Sequence, residues 1–345
     1  MDVGVDLWIR PMRRIYFCVY LLKPPDPRLE ASVVYGDMLW CRPKSRAVLM
    51  SEYPIERRKY GNTQDRISVL GFGGVIVTNT FAETAANYVA EAVDRGVNYF
   101  DVSPFYGNAQ SMLGPALAPY RDRCFLACKT RERTAAGAAR ELEESLRLLL
   151  TDRVDLYQMH SLQSVEDDVN VALGPGGAME TFVKARDAGK IRYIGFSAHT
   201  EEAAHAAMDA FDFDSILFPC NYFTWNKGEF GPSVVERARD KGMGLLGLKS
   251  LAYRRWTKEE FKDFFRPWHK CWYKPLEDRA LIELALRFTL GLPVNAAIPP
   301  GHWDLFKICL EIVESGDIHP ASENDLAPLA KLAEESRPLF EATVA

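Results

Sequence analysis

Four residues able to move or steer a proton stand in order along one part of this chain: Asp101, Tyr106, Lys129 and His160. Asp101 closes the apolar run NYFD, Lys129 closes FLACK, and His160 closes DLYQMH. Tyr106 comes five residues after Asp101 and is followed at once by Gly107. A free tyrosine keeps its proton up to a pKa of about 10. A neighbouring ammonium favours the phenolate and so makes the phenol a better acid. A carboxylate can pair with that ammonium where it would otherwise face an apolar interior, and a histidine can hydrogen-bond the atom that receives the proton. Such a set suits protonation of an oxygen that gains negative charge as hydride reaches its carbon. Each member also has a plain structural reading: Asp101 as a helix cap, Lys129 as a solvated turn lysine, His160 as a satisfied core histidine, Tyr106 as packing. What carries the signal is their order on successive segments.

The segments that must position these residues alternate between apolar runs and amphipathic stretches. The apolar runs are RISVLGFGG (66–74), VNYFDV (97–102), CFLACKT (124–130), VDLYQMHS (154–161), IRYIGFSAH (191–199), SILFPCNY (215–222), GLLGLKSL (244–251) and NAAIPPG (295–301). Between them lie helical patterns such as AETAANYVAEAVDRG (82–96), with a glycine stop, and TAAGAARELEESLRLLL (134–150), with Thr134 placed as an N-cap. The strands are continuous apolar runs, as parallel strands covered by helices should be. Eight βα units in about 250 residues predict a (β/α)8 TIM barrel, an α/β fold. A doubly wound sheet would announce itself with GxGxxG after its first strand, and GFGGVIV does not fit that pattern.

In such a barrel, chemistry collects at the C-terminal ends of the strands. Those positions read Gly73 and Gly74, Asp101, Lys129, His160, Ser197, Asn221, Lys249 and Gly301. An aromatic insertion, residues 252–275, follows the seventh strand. Its rings can roof the pocket with Phe105, Phe223 and Trp225, or pack as a small subdomain. His269 and Cys271 within it lack the further spacing that a metal site needs, so no metal is expected.

Composition narrows the class further. The 345 residues are 48% hydrophobic and 26% charged, with a formal net charge of −5. These values fit a globular domain with a sizeable core and give nucleic-acid binding no electrostatic support. Seven cysteines without CxxC spacing read as reduced thiols in a cytoplasm rather than a disulfide framework. The run IYFCVYLL (15–22) is too short to span a bilayer, and no clear cleavage site follows it. Residues 1–49 mix prolines, charges and lone aromatics without a period. They are expected to be a loose extension, with the barrel and a C-terminal helical tail occupying 50–345 and Met50 as a candidate natural start.

The stretches GFGG, NYFDVSPFYGNAQSMLGPAL, LACKT, DLYQMHS, IRYIGFS and AAIPPG resemble the aldo-keto reductase family, motif by motif and in order, over roughly residues 52–320. The resemblance implies a (β/α)8 barrel that uses NADP(H), or NAD(H), without a Rossmann domain, and that reduces an aldehyde or ketone reversibly. It assigns Asp101, Tyr106, Lys129 and His160 as the catalytic set, with Tyr106 as general acid. It also assigns Ser197 to the nicotinamide carboxamide and Gly301, with the helix start after it, to phosphate. Lys307 would meet a 2′-phosphate, and Gly73, Gly74, Asn221 and Lys249 complete the cofactor contacts. The sequence departs from the family pattern at Ala198, where asparagine is frequent, and at Leu217, where glutamine is. It departs again at Leu248, where an aromatic is common, and at Gln110, where an acidic residue is usual. The chain carries no iron–sulfur ligand spacing after Cys309. Two other functions remain open on the residues alone: a Schiff-base lyase using Lys129, and a non-catalytic subunit that binds a nicotinamide cofactor.

Because residues 1–49 hold no barrel strand and none of the four proton-handling residues, a protein beginning at Met50 should keep its thermal transition and its NADPH-dependent turnover. A collapse of either would make the extension part of the fold.

Overall fold

A computed structural model describes residues 53–316 and 318–342. The extension expected over residues 1–49 lies outside them. Twelve strands are numbered here in chain order: β1 (Arg57–Lys59), β2 (Arg66–Ser68), β3 (Gly71–Gly73), β4 (Tyr99–Asp101), β5 (Phe125–Thr130), β6 (Val154–Leu162), β7 (Ile191–Ala198), β8 (Ser215–Pro219), β9 (Gly244–Leu248), β10 (Ala252–Arg255), β11 (Tyr273–Pro275) and β12 (Ala296–Ile298). Eight of them form one parallel sheet in the order β3-β4-β5-β6-β7-β8-β9-β12. Leu70 bridges Ala297 in parallel sense and draws the two edges together. This is the (β/α)8 barrel that the alternation of segments predicts.

All residues of β3, β4, β5, β6, β8 and β12 are buried, because helices cover the outer face and side chains fill the inner one. Helix Ala135–Leu148 begins where Thr134 accepts the Gly137 N–H, as its sequence predicts. The strand period of two sorts the inner face into layers. Tyr99, Phe125, Ala127, Leu156, Leu217, Leu246 and Ala296 belong to a packed apolar cluster inside the barrel. Two residues further along their strands, Tyr99 gives way to Asp101, Ala127 to Lys129, and Leu156 to Gln158. The interior therefore changes from apolar to charged as the strands approach their C-terminal ends.

The structure differs from the sequence reading at the first strand. The run 66–74 is two strands, not one. β2 pairs antiparallel with β1 as a hairpin at the bottom of the barrel, and only β3 enters the sheet. Tyr60, in the turn of that hairpin, is fully buried and stacks its ring near Phe125 (4.9 Å) and Tyr193 (5.5 Å). Gly244 makes room for it, since a Cβ there would lie 2.6 Å from the Tyr60 ring. For the insertion 252–275, the small-subdomain reading of its residues holds. It is a β10–β11 antiparallel pair joined through the short helix Lys258–Lys262, whose start is closed by a Thr257–Glu260 capping box. At the C-terminal end, helix Ala327–Glu334 supplies the expected tail. No helix among the described residues is long and apolar enough to cross a membrane.

Tyr60→Ala should lower unfolding stability by about 3–5 kcal/mol, the range for loss of a buried aromatic ring. Chemical denaturation measures it; an unchanged midpoint would show that the hairpin is not a plug for the barrel.

Candidate active site

The C-terminal mouth of the barrel opens into a cavity of about 600 Å3 lined by Asp101, Tyr106, Lys129 and His160. Lys129 is fully buried on the third barrel strand, β5, and donates to Asp101 Oδ1 on the neighbouring β4. Its Nζ also lies 3.5 Å from the Tyr106 hydroxyl. The other Asp101 oxygen, Oδ2, accepts from Gln158 Nε2 at 3.2 Å and from the Tyr99 hydroxyl at 3.3 Å, so the carboxylate is fixed from three strands.

Tyr106 arrives on a tight turn after β4. Its N–H donates to the Ser103 carbonyl (3.0 Å), and the Thr78 hydroxyl donates to the Tyr106 carbonyl (3.0 Å). Gly107 follows with φ of +58°, a left-handed backbone that glycine adopts without strain. The Tyr106 ring meets the His160 ring edge-on at 5.9 Å. His160 Nδ1 lies 3.1 Å from Ser103 Oγ, and that oxygen also accepts the Phe105 N–H at 3.2 Å.

The electrostatics follow from burial and from Lys129. Burial pushes the Tyr106 phenol above its ordinary value of 10.0, and Lys129 pulls it back only in part. The sequence argument weighed the ammonium alone, so its expectation of a lowered tyrosine is corrected here: desolvation is the larger influence. For Lys129, burial works toward loss of the proton, but Asp101 and Tyr106 outweigh it and the ammonium is held above its ordinary value of 10.5. Burial, aided by Lys129, drives His160 down to about 2, so the imidazole is neutral at physiological pH.

Of the residues named from sequence for a cofactor, Gly73, Ser197, Lys249 and Gly301 line the same cavity. Ser197 Oγ accepts the Ser161 N–H at 2.7 Å, which leaves its own hydroxyl proton to donate elsewhere. The other three named positions do not line the cavity. Gly74 opens a short 3-10 turn, and a Cβ there would lie 2.8 Å from a Val102 methyl, so its glycine serves packing. Asn221 caps helix Tyr222–Asn226 by accepting the Thr224 N–H at 3.0 Å. Lys307 lies exposed on helix Trp303–Glu314. Phe105 joins the rim. Phe223 is buried beside Tyr253 and Trp225 packs near Phe288, so neither roofs the pocket.

Other residues that the sequence reading did not single out also line the cavity, among them Val75, Thr78, Lys270, His199 and Arg131. The insertion contributes Lys270 and Trp272, and Lys270 Nζ donates to the Ile76 carbonyl at 2.9 Å. His199 bridges two strand ends: its Nδ1 lies 3.1 Å from Ser161 Oγ, and its Nε2 accepts from Lys249 Nζ at 3.3 Å. Arg131 stands just past the end of β5, two residues beyond Lys129, and its side chain lines the cavity. Lys249, at the end of β9, is pushed down to about 7 by burial, with Lys129 adding to the effect.

The amino-acid sequence matches the model of the Aldo/keto reductase family over residues 69–267. Aldo-keto reductase YhdN of Bacillus subtilis (strain 168) is 31% identical over 196 residues, which are 52% of this chain and 55% of that protein. The aligned part thus spans little more than half of that relative. Uncharacterized oxidoreductase YqkF of the same organism is 25% identical over 278 residues, 72% of this chain and 87% of the relative. Among solved structures, aldo-keto reductase AKR11C1 from Bacillus halodurans in its holo form superposes with a TM-score of 0.62 at 22% identity, covering 84% of this chain and 98% of that one. This last likeness is one of fold.

Asp101→Asn should leave the Lys129 ammonium buried without a counter-charge and cost about 3–5 kcal/mol of stability at neutral pH. Urea unfolding reads it directly. An unaltered midpoint would mean that the pair is not what holds Lys129 in the barrel.

Proposed function

The chain belongs to the aldo-keto reductase family, and on that premise we propose that it is an NADP(H)-dependent oxidoreductase that reduces an aldehyde or ketone to an alcohol, with Tyr106 as the general acid. The observation that carries this reading is the position of the Lys129 ammonium between the Asp101 carboxylate and the Tyr106 hydroxyl. The phenol, ordinarily protonated at neutral pH, holds its proton more tightly because burial raises its pKa above 10.0. When it gives up its proton, the phenolate left behind faces a fixed cation, so the charge formed in the reaction is stabilised without reorganisation.

His160 has a complementary part. Ser103 Oγ accepts the Phe105 N–H, and its hydroxyl proton can then go to His160 Nδ1. That arrangement keeps the ring proton on Nε2, where a neutral imidazole donates to the substrate oxygen and orients the carbonyl without competing with Tyr106 as the acid.

The mouth suits a dinucleotide. Lys249 and Lys270 have no carboxylate partner among the described residues and can meet a pyrophosphate, while Ser197 offers a hydroxyl to a carboxamide. The adenosine 2′-phosphate that separates the two cofactors would be met by Lys307, exposed on helix Trp303–Glu314. When bound, the reduced nicotinamide supplies the hydride. The competing functions fit less well. Lys129 is held as an ammonium and has no lone pair with which to attack a carbonyl, which argues against a Schiff-base lyase. A purely binding subunit would have no use for the assembled phenol, ammonium and imidazole.

Tyr106→Phe should lose about 10²- to 10⁴-fold in NADPH-dependent reduction across an aldehyde panel, while NADPH still quenches the protein's fluorescence. Reduction needs the protonated phenol, so its rate should fall only as pH rises through the elevated tyrosine pKa, above 10.0. Lys129→Met removes a charge that favours the phenolate and should move that alkaline limb higher still. Near-normal turnover by Tyr106→Phe would remove Tyr106 from its role.

A further inference from the structure

The charges around the cavity do not balance. Asp101 is the one carboxylate among the described residues that line it, and its charge is committed to Lys129. Three other basic side chains share the lining: Arg131, Lys249 and Lys270. A dinucleotide's pyrophosphate can answer the two lysines, which flank the side of the mouth formed by the ends of β9 and β12 and by the insertion. Arg131 lies elsewhere, on the rim above β5, between the Tyr106 loop and the end of β6.

Arg131 follows directly on the end of β5, and its side chain lines the cavity one step above the layer that holds Lys129. Its guanidinium lies 4.2 Å from the centre of the Phe105 ring, a stacked contact that orients the plane of the fork but leaves its N–H donors unspent. Among the described residues it has no ion-pair partner. Its field is felt at Tyr106, His160 and His199 alike, which sets it within electrostatic reach of the reacting centre.

Resting on the carbonyl-reduction reading above, we propose that the substrate is an aldehyde or ketone bearing a carboxylate, and that Arg131 holds this carboxylate while Tyr106 and His160 receive the carbonyl oxygen. An exposed but oriented guanidinium matches a carboxylate through two parallel hydrogen bonds, and Phe105 and Trp272, both half-exposed at the rim, give flat apolar walls for the carbon skeleton between the two polar ends. The reaction balances as an oxo acid becoming a hydroxy acid. The carbonyl carbon gains a hydride, two electrons taken from the reduced nicotinamide, and the oxygen gains a proton from Tyr106. The carboxylate is unchanged.

The test compares matched substrates in the full chain with NADPH: 3-carboxybenzaldehyde against benzaldehyde, and succinic semialdehyde against butanal. The acid of each pair should be preferred in kcat/KM by about tenfold to a hundredfold, the strength of a charge-assisted bidentate contact. The preference should appear mainly in KM. Arg131→Leu should bring each ratio toward one, and Arg131→Lys should restore part of it, because the charge returns without the fork. A glyceraldehyde 3-phosphate arm distinguishes the anion: a phosphate preferred over both carboxylates would overturn the assignment. Calorimetric binding of 3-(hydroxymethyl)benzoate against benzyl alcohol to the NADPH-loaded protein provides a readout free of turnover. Turnover of the aldehydes with no preference for acids, or a preference that survives Arg131→Leu, overturns the anion site and leaves carbonyl reduction standing. Arg131-dependent binding of the benzoate without turnover of any aldehyde sinks the reduction reading and keeps the anion site.

Discussion

A lysine ammonium with no solvent exposure is an expensive thing to keep in a barrel, and the arrangement around Lys129 makes it tolerable. Removing two charges from water costs several kcal/mol per ion, and a buried pair repays this only when its remaining hydrogen-bonding positions are filled. Here the Asp101 oxygens are used by Lys129, Gln158 and Tyr99, side chains from β4, β5 and β6. The pair is therefore the place where three adjacent strands must agree in register. A one-residue slip of β5 would turn Lys129 outward into the helices and leave Asp101 facing an apolar layer. The same interaction that constrains the sheet also sets the charge beside Tyr106, so strand register and acid strength are linked.

That linkage explains the division of the barrel interior. Below the charged layer, Tyr60, Tyr99, Phe125, Leu156 and their neighbours fill the space completely. This apolar floor screens Asp101 and Lys129 from beneath, so their polar partners come from each other, from Gln158 and Tyr99, and from Tyr106 above. Above them the barrel opens, and exposure returns at Phe105, Arg131 and Trp272. The tyrosine sits at the boundary. Burial holds its proton on, while the adjacent cation lowers the cost of releasing it; an acid placed either deeper or further out would lose one of these two effects.

Much of this was legible in the sequence because it depends on periodicity and order. The eight runs, their helical partners, the Thr134 cap, and the four residues that converge at the mouth all follow from local spacing. What was not legible depends on partners far apart in the chain. The segment 66–74 reads as one apolar run, yet it divides because β2 finds β1 while β3 finds β4, a choice made by tertiary pairing rather than by propensity. Asn221 looks like a strand-end ligand until its side chain is seen to cap the next helix. The insertion's aromatics were expected as a possible roof, and Trp272 and Tyr273 supply part of one, but that Lys270 reaches the cavity beside them depends on how residues 252–275 fold back, which no pattern within them specifies. The balance between burial and charge at Tyr106 likewise needed the surroundings, since the sequence names the cation but not the depth.

The rim carries backbone strain at two polar residues. Ser161 and Lys249 both adopt left-handed backbone, with φ of 61° and 62°, where a side chain is disfavoured. Each such residue costs on the order of 1–3 kcal/mol and persists only where its surroundings hold it. The two are joined through one imidazole, since His199 contacts Ser161 Oγ with Nδ1 and accepts from Lys249 with Nε2. Glycine at either position would relieve the backbone but delete the group that His199 meets. The strained conformations thus keep a hydroxyl, an imidazole and an amine in one line along the ends of β6, β7 and β9. The amine at the end of that line is pushed down to about 7 by burial and has no carboxylate partner among the described residues. An amine so depressed gains affinity for its proton when a negative charge comes near it, so the charge state of this corner of the mouth depends on what lies beside Lys249.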